Sequence, residues 1–296
     1  MEYAKEYIKF LEQFLSISGK IKVLFDLSNG STGLVLKDLF KGNTNIETIF
    51  VNDEMDGNFP GHGPNPLDQK VTDFMKKEVV KNKADIGVVF DGDGDRVFFF
   101  DDLGSPLDSY EIFSCIKGYF NGPYVVDARA LSKFTMPDEN VIETKVGYYF
   151  IAQAMRENKA ELGAEYSGHF YFKNFFYRDS GILASIYMLN YLSKIKNEGK
   201  VLSGTKGGIH YAKLPETNFT IDSPKGAILK MQEYFSSERD IKLETLDGLT
   251  AYGKDFAFNI RGSATEPVVR FTLVATDNGT LQEIFKTVKI VLGVNE

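Results

Sequence analysis

Asp91, Asp93 and Asp95 alternate with Gly92 and Gly94, and two strongly apolar runs bound this acidic segment, IGVVF before it and VFFF after it. Short apolar runs that end at turn residues read as buried strands, so the carboxylates belong to a loop between two strands. In locally extended chain, residues two apart point the same way. The glycines permit the tight backbone that lets all three carboxylates converge. Three such groups repel one another unless a cation lies between them. Hard oxygen donors suit Mg²⁺ or Ca²⁺, with Mg²⁺ usual where a phosphate completes the shell. The cation-free alternative is a solvated Asp-Gly turn.

Two other motifs begin alike and fit worse. A calcium loop of the EF-hand kind needs glycine at its sixth position and glutamate at its twelfth, where this chain has Arg96 and Asp102. VVFDGDG also resembles the first motif of haloacid-dehalogenase-type phosphatases, whose first aspartate is a nucleophile. There a Thr or Val usually follows, whereas here Asp95 does. No acidic metal motif downstream pairs with it.

The whole chain has 296 residues, which at about 150 per domain predicts two domains or three small ones. It carries 34 Lys plus Arg against 41 Asp plus Glu, a formal net charge of −7. An acidic chain without a basic run is a poor partner for nucleic acid or a membrane surface. No apolar stretch approaches the roughly 18 residues of a membrane span. The charged, amphipathic start MEYAKEYIKFLEQF is not a signal peptide. A single cysteine, Cys115, excludes an internal disulfide and a cysteine-based zinc site, and predicts a reducing, cytoplasmic setting.

Strand and helix patterns alternate through the first half, which argues α/β. Ile8, Leu11 and Leu15 predict an opening helix that stops at Gly19. IKVLFDLSNGSTG reads as a strand entering a Gly- and Ser-rich turn, and a Gly/Pro/Asn-rich loop runs from Asp56 to Pro66. Boundaries at Gly104–Pro106 and at Ser203–Gly208 give three parts, 1–104, 105–203 and 204–296. The last reads as a small α+β domain, with a helix opening at Ser223-Pro224 and strands at DFAFNI and VVRFTLVA.

Two further loops carry chemistry. Glu165, Tyr166, Ser167, Gly168 and His169 turn between two predicted strands and offer a carboxylate, a hydroxyl and an imidazole to vicinal sugar hydroxyls. A polar surface turn is the plain alternative, and the local spacing argues against a catalytic Ser/His pair. Near the C-terminus, Arg261-Gly262-Ser263-Ala264-Thr265-Glu266-Pro267 places a planar guanidinium fork beside two hydroxyls, with Arg270 three residues beyond the proline. Such a loop can wrap a phosphate.

DGDGDR, AEYSGH and RGSATEP, in this order and at roughly hundred-residue spacing, together resemble the α-D-phosphohexomutase superfamily, in its bacterial phosphomannomutase/phosphoglucomutase branch. DGNFPGHGPNP and VVDARALS resemble further landmarks of that family. The resemblance implies two tandem α/β domains followed by a smaller α+β domain. It implies Mg²⁺ on Asp91, Asp93 and Asp95, with Arg96 near the reactive phosphoserine and Lys145 as an active-site lysine. Glu165, Ser167 and His169 fall in the sugar-recognition loop, and Arg261, Gly262, Ser263, Ala264 and Thr265 in the clamp for the idle phosphate. The implied activity interconverts hexose 1-phosphate and hexose 6-phosphate through a hexose bisphosphate. Ala164 replaces a usual glycine, and Tyr166 stands where other branches carry Glu, Gln or Met, so mannose, glucose and glucosamine phosphates all stay open.

The family's Ser-His-Asn-Pro loop, whose serine carries the phosphate, has no counterpart: the histidines are His62, His169 and His210, and none lies in such a motif. The expectation is a chain that begins at the family's second domain, lacks the phosphoserine domain and is inactive alone. A phosphosugar-binding protein without turnover is the other class.

Overall fold

A computed structural model describes residues 2–205, 211–263 and 266–294. The chain forms two compact units, each discontinuous in sequence: Met1–Gly122 with Lys159–Gly208, and Pro123–Asn158 with Ile209–Glu296.

The first unit begins with helices α1 (Glu2–Glu12), α2 (Gly33–Leu39), α3 (Gln69–Asn82) and α4 (Ser109–Ile116) and strands β1 (Ile21–Asp26), β2 (Ile46–Val51), β3 (Ile86–Phe90), β4 (Val97–Phe100) and β5 (Pro106–Leu107). The sheet order is β2-β1-β3-β4-β5. β1 pairs in parallel with β2 and β3, and β4 and β5 return antiparallel. Parallel strands are covered on both faces. Val71, Met75 and Val79 of α3 pack on Leu24, Val89 and Phe100, and on the opposite face Phe25 stacks on Phe40 and Phe50. The carboxyl ends of β1 and β3 carry Asp26 and Asp91, the rim where open α/β sheets hold ligands.

Strands β6 (Tyr124–Asp127) and β7 (Val141–Thr144) and helices α5 (Ser132–Thr135) and α6 (Tyr148–Asn158) belong to the second unit. The chain then returns to the first with β8 (Leu162–Ala164), β9 (Phe170–Phe172), β10 (Arg178–Asp179) and α7 (Gly181–Asn197). β8, β9 and β10 pair antiparallel, so GAEYSGHFYF is the pair of strands its pattern predicts. Ser180 caps α7 by accepting from the Leu183 amide, and most of α7 is buried.

The opening helix ends at Glu12, earlier than its apolar spacing predicts. The reason lies on α7. Asn190 accepts from the Ser16 amide at 2.8 Å and donates to the Phe14 carbonyl, and Ser193 Oγ accepts from the Ser18 and Gly19 amides. Side chains from over 170 residues away thus take the backbone groups that a longer helix would have used.

The second unit continues with β11 (Ala212–Lys213), β12 (Thr217–Thr220), β13 (Lys242–Glu244), β14 (Leu249–Tyr252), β15 (Phe256–Gly262) and β16 (Val268–Ala275), and with α8 (Pro224–Ser236) and α9 (Asn278–Leu292). Its antiparallel sheet runs β11-β16-β15-β14-β13, and β12 also pairs with β16. Every second residue of β15 and β16, including Phe258, Ile260, Phe271 and Leu273, packs against α8 and α9. Ala257 and Val274, on the other face, meet Leu131 beside α5. Ser223 and Pro224 open α8 as their order predicts. The chain is thus α/β in its first part and α+β in its last.

Phe258 is fully buried, with its ring 4.8 Å from Phe235 and 5.6 Å from Phe271. Phe258→Ala should therefore cost about 3–5 kcal/mol of stability in urea unfolding, through lost burial plus the cavity left behind. A cost below about 1 kcal/mol would contradict this packing.

Candidate functional site

The acidic loop is fixed from within. Asp91 is 3% exposed; its Oδ1 accepts from the Gly94 and Arg96 amides at 3.0 and 3.2 Å, and its Oδ2 from Arg96 Nε at 2.7 Å. Burial, with the neighbouring Asp95 carboxylate, pushes Asp91 above the usual carboxylate range against the pull of Arg96. Asp93 is exposed and Asp95 intermediate. One oxygen from each of the three lies within 4.8 Å of the others. Asp95 Oδ1 is buried without a hydrogen-bond donor among the described residues. An all-oxygen, anionic set with an orphaned oxygen and mutual repulsion is what a divalent cation fits. Asp91, held by three donors, is ill placed as a nucleophile, which argues against the dehalogenase-type alternative.

The middle loop meets this one directly. Arg96 and His169 form an isolated antiparallel bridge, and the Val97 amide donates to the Gly168 carbonyl at 3.1 Å. Gly168 has φ +90°, and a Cβ there would lie 2.7 Å from the Phe98 ring, so only glycine makes this turn. From the other side, the Gly181 amide at the start of α7 donates to the Gly94 carbonyl at 3.1 Å. Glu165 is buried and accepts from the Tyr171 hydroxyl at 2.6 Å. Ser167 Oγ lies 3.1 Å from His169 Nδ1. His169 is ringed by carboxylates, with Asp95 at 3.4 Å, Glu165 at 3.5 Å and Asp179 at 3.7 Å. Burial first, then the Glu165 charge, raises Asp179 above the usual range, against His169.

Asp179 escapes sequence reasoning because only the β9–β10 hairpin brings it back beside His169. The local spacing that argues against a catalytic Ser/His pair also hides the three carboxylates that stand within 3.7 Å of His169.

Lys145 and the basic loop lie in the second unit. Lys145 is exposed, its Nζ 5.7 Å from the Phe150 ring centre, and the next amide, of Val146, donates to Asp247. Arg261 on β15 stands directly opposite Arg270 on β16. Like charges so paired repel, and Glu216 lies 3.4 Å from Arg261 and 3.7 Å from Arg270. Arg129, whose guanidinium donates to both oxygens of Asp127, approaches the same Glu216 at 3.6 Å. The Nε atoms of Arg261 and Arg270 are buried without an acceptor among the described residues. Two guanidinium groups with unspent donors suit an oxyanion. Gly262 and Ser263 follow on the hairpin, and the Ser263 amide donates to the Val268 carbonyl. Ala264 and Thr265 lie outside the described residues.

The Asp56–Pro66 loop adds a buried pair: His62 Nε2 lies 2.8 Å from Asp26 Oδ2, and Nδ1 lies 2.9 Å from the Gly63 carbonyl. Burial alone would push this imidazole down, but Asp26 and the carbonyl outweigh it and hold it above its ordinary value of 6.5. A raised histidine stabilises the fold fully below its unfolded value and loses that contribution as pH rises through the folded one. The stability advantage of the natural chain over His62→Gln should therefore shrink as pH rises above 6.5, in urea titrations at stepped pH. An advantage that grows with pH would contradict the charged pair.

The chain thus combines an α/β fold with an acidic set that fits a divalent cation and arginines that suit an oxyanion. Two family descriptions match it: phosphoglucomutase/phosphomannomutase alpha/beta/alpha domain II over residues 5–104, and domain III of the same family over 129–205. Among curated relatives, the phosphomannomutase of Methanocaldococcus jannaschii is 36% identical over 96% of this chain and 64% of its own length. A phosphoglucomutase/phosphomannomutase family protein from Burkholderia thailandensis superposes with TM-score 0.82 at 24% identity, over 99% of this chain and 65% of that one. The N-acetylphosphoglucosamine mutase of Aspergillus fumigatus, solved in complex with GlcNAc-6P and magnesium, gives TM-score 0.64 at 15% identity, over 97% of this chain and 68% of that one. The chain belongs to the α-D-phosphohexomutase superfamily. It spans just under two thirds of the length of its M. jannaschii relative. Among the described residues no helix is long and apolar enough to cross a membrane.

Proposed function

We propose that these 296 residues supply the cation-, sugar- and phosphate-holding parts of a cytoplasmic phosphohexomutase that interconverts hexose 1-phosphate and hexose 6-phosphate. The observation that carries the reading is the meeting of two chain-distant loops in one unit, Asp91–Arg96 and Glu165–His169, through the Arg96–His169 bridge. The relative solved with GlcNAc-6P and magnesium supports both ligand classes. The matches over 5–104 and 129–205 support a division of the chain at 104 and 203.

In this reading Asp91, Asp93 and Asp95 hold Mg²⁺, which when bound withdraws charge from the transferring phosphoryl group. Arg96 is locked by Asp91, so its remaining guanidinium donors are pre-aimed at phosphate oxygens. Ser167 and His169 present a hydroxyl and an imidazole to the sugar hydroxyls, with Glu165 behind them. Arg261, Gly262, Ser263, Ala264 and Thr265 grip the phosphate that is not reacting, and Lys145 adds charge. The phosphoryl carrier is a phosphoserine on a domain outside these residues. Its P–O bond breaks as one forms to the sugar hydroxyl, whose proton ends on the freed serine oxygen; the hexose bisphosphate reorients and returns its other phosphate to serine by the reverse exchange. The protein's part is orientation and charge stabilisation.

The absence of a Ser-His-Asn-Pro segment favours one other reading, a phosphosugar-binding protein without turnover. Calorimetric titration with glucose 6-phosphate, mannose 6-phosphate and the free sugars tests what both share. Phosphosugars should bind, more tightly with Mg²⁺, and free sugars should bind far more weakly. Equal affinities for sugar and sugar phosphate would defeat both.

A further inference from the structure

We infer that the buried Asp26–His62 pair is a positioning device for the cation loop, an inference that rests on the reading of that loop as a divalent-ion site. Asp26, at the carboxyl end of β1, is fully buried. Its Oδ1 accepts from the Ser28 amide and from Asn52 Nδ2, and its Oδ2 faces His62 Nε2. The other ring nitrogen faces the Gly63 carbonyl. Both nitrogens meet acceptors, an arrangement only the doubly protonated ring satisfies. The ion pair therefore clamps the Asp56–Pro66 loop onto the end of β1.

Both clamped segments touch the acidic loop. From the β1 side, Ser28 Oγ donates to the Phe90 carbonyl at 2.6 Å and the Ser31 amide to the Gly92 carbonyl at 3.0 Å. From the other side Phe59 and Pro64 cover Gly92 so closely that a Cβ there would lie 3.1 Å from the Phe59 ring. Asn29 ties the two together, its Oδ1 accepting from the Gly61 amide and its carbonyl from the Asp56 amide. Gly92 lies between Asp91 and Asp93, so whatever fixes it fixes the separation of two carboxylates. Neither Asp26 nor His62 is among the residues that could hold the cation themselves. The pair acts through backbone.

The test compares the natural chain with His62→Gln, which keeps a hydrogen-bonding side chain but not the charge, and Asp26→Asn. Mg²⁺ affinity by calorimetry should fall about tenfold in each, the effect of losing a group that orients metal ligands. Amide exchange at Ser31 and Gly94 should quicken in the same variants. Val79→Ala, a core change on α3, is the stability control and should leave both readouts within about twofold, since it lies away from the braced loops. Unchanged affinity and exchange in His62→Gln, or equal losses in Val79→Ala, would overturn the positioning role. Absence of Mg²⁺ binding in the natural chain would instead defeat the cation reading, and the exchange of Ser31 and Gly94 would still decide the brace.

Discussion

Asp91→Asn should abolish useful divalent-ion binding, with Mg²⁺ affinity falling by about a hundredfold or more, beyond the 10- to 100-fold expected for an outer-shell partner. Two losses combine. The ion gives up one of three anionic ligands, and the loop gives up its internal anchor. Asp91 accepts from two amides on one oxygen and from Arg96 Nε on the other. An asparagine that keeps the amides with its oxygen turns its NH₂ toward the guanidinium, donor against donor. The cost to the cation-free fold should be smaller, because the substitution also relieves the burial of charge and the repulsion from Asp95 that together raise Asp91. Calorimetry and urea unfolding on the same samples separate the effects. Undiminished Mg²⁺ affinity would remove Asp91 from the site.

Arg261→Lys should weaken hexose phosphate binding by about 1–3 kcal/mol while leaving Mg²⁺ affinity alone. Charge is conserved, so the loss measures the planar fork. Arg261 spends one amino group on Glu216 and keeps a buried Nε without an acceptor among the described residues. A lysine ammonium can replace either contact but not both, and it still stands opposite Arg270. Titration with mannose 6-phosphate reads the difference. Equal binding by the natural chain and the variant would mean that the loop supplies bulk charge, or nothing, to the ligand.

What the sequence reveals here depends on how far apart the partners lie. The acidic loop proposed to hold the cation is legible because its three carboxylates fall within five residues and its flanking strands are unmistakably apolar. The α+β end is legible because β15 and β16 are short, mainly apolar runs and Ser223-Pro224 marks a helix start. The end of α1 is not, since Asn190 and Ser193 stop it from far away in sequence. Glu216 reaches Arg261 across 45 residues, and Asp26 reaches His62 across 36. Neither acid carries a local signal that distinguishes it in the sequence from a surface carboxylate. Asp179 is likewise an ordinary residue until the hairpin places it beside His169. Side chains grouped by local spacing can be read from sequence, whereas those that hold other side chains from afar emerge only with the fold.

Following the phosphoryl group itself shows whether a carrier resides within this chain. Glucose 1-phosphate labelled in its phosphate is incubated with the purified 296-residue chain and Mg²⁺, with a hexose bisphosphate present, and both isomerisation and labelled protein are measured. Neither is expected from this chain alone, and isomerisation is expected once a phosphoserine domain of the family is supplied, fused or in trans. Robust isomerisation by the 296 residues alone, retained in Ser167→Ala, would contradict this, because a phosphoryl carrier would then reside within this chain.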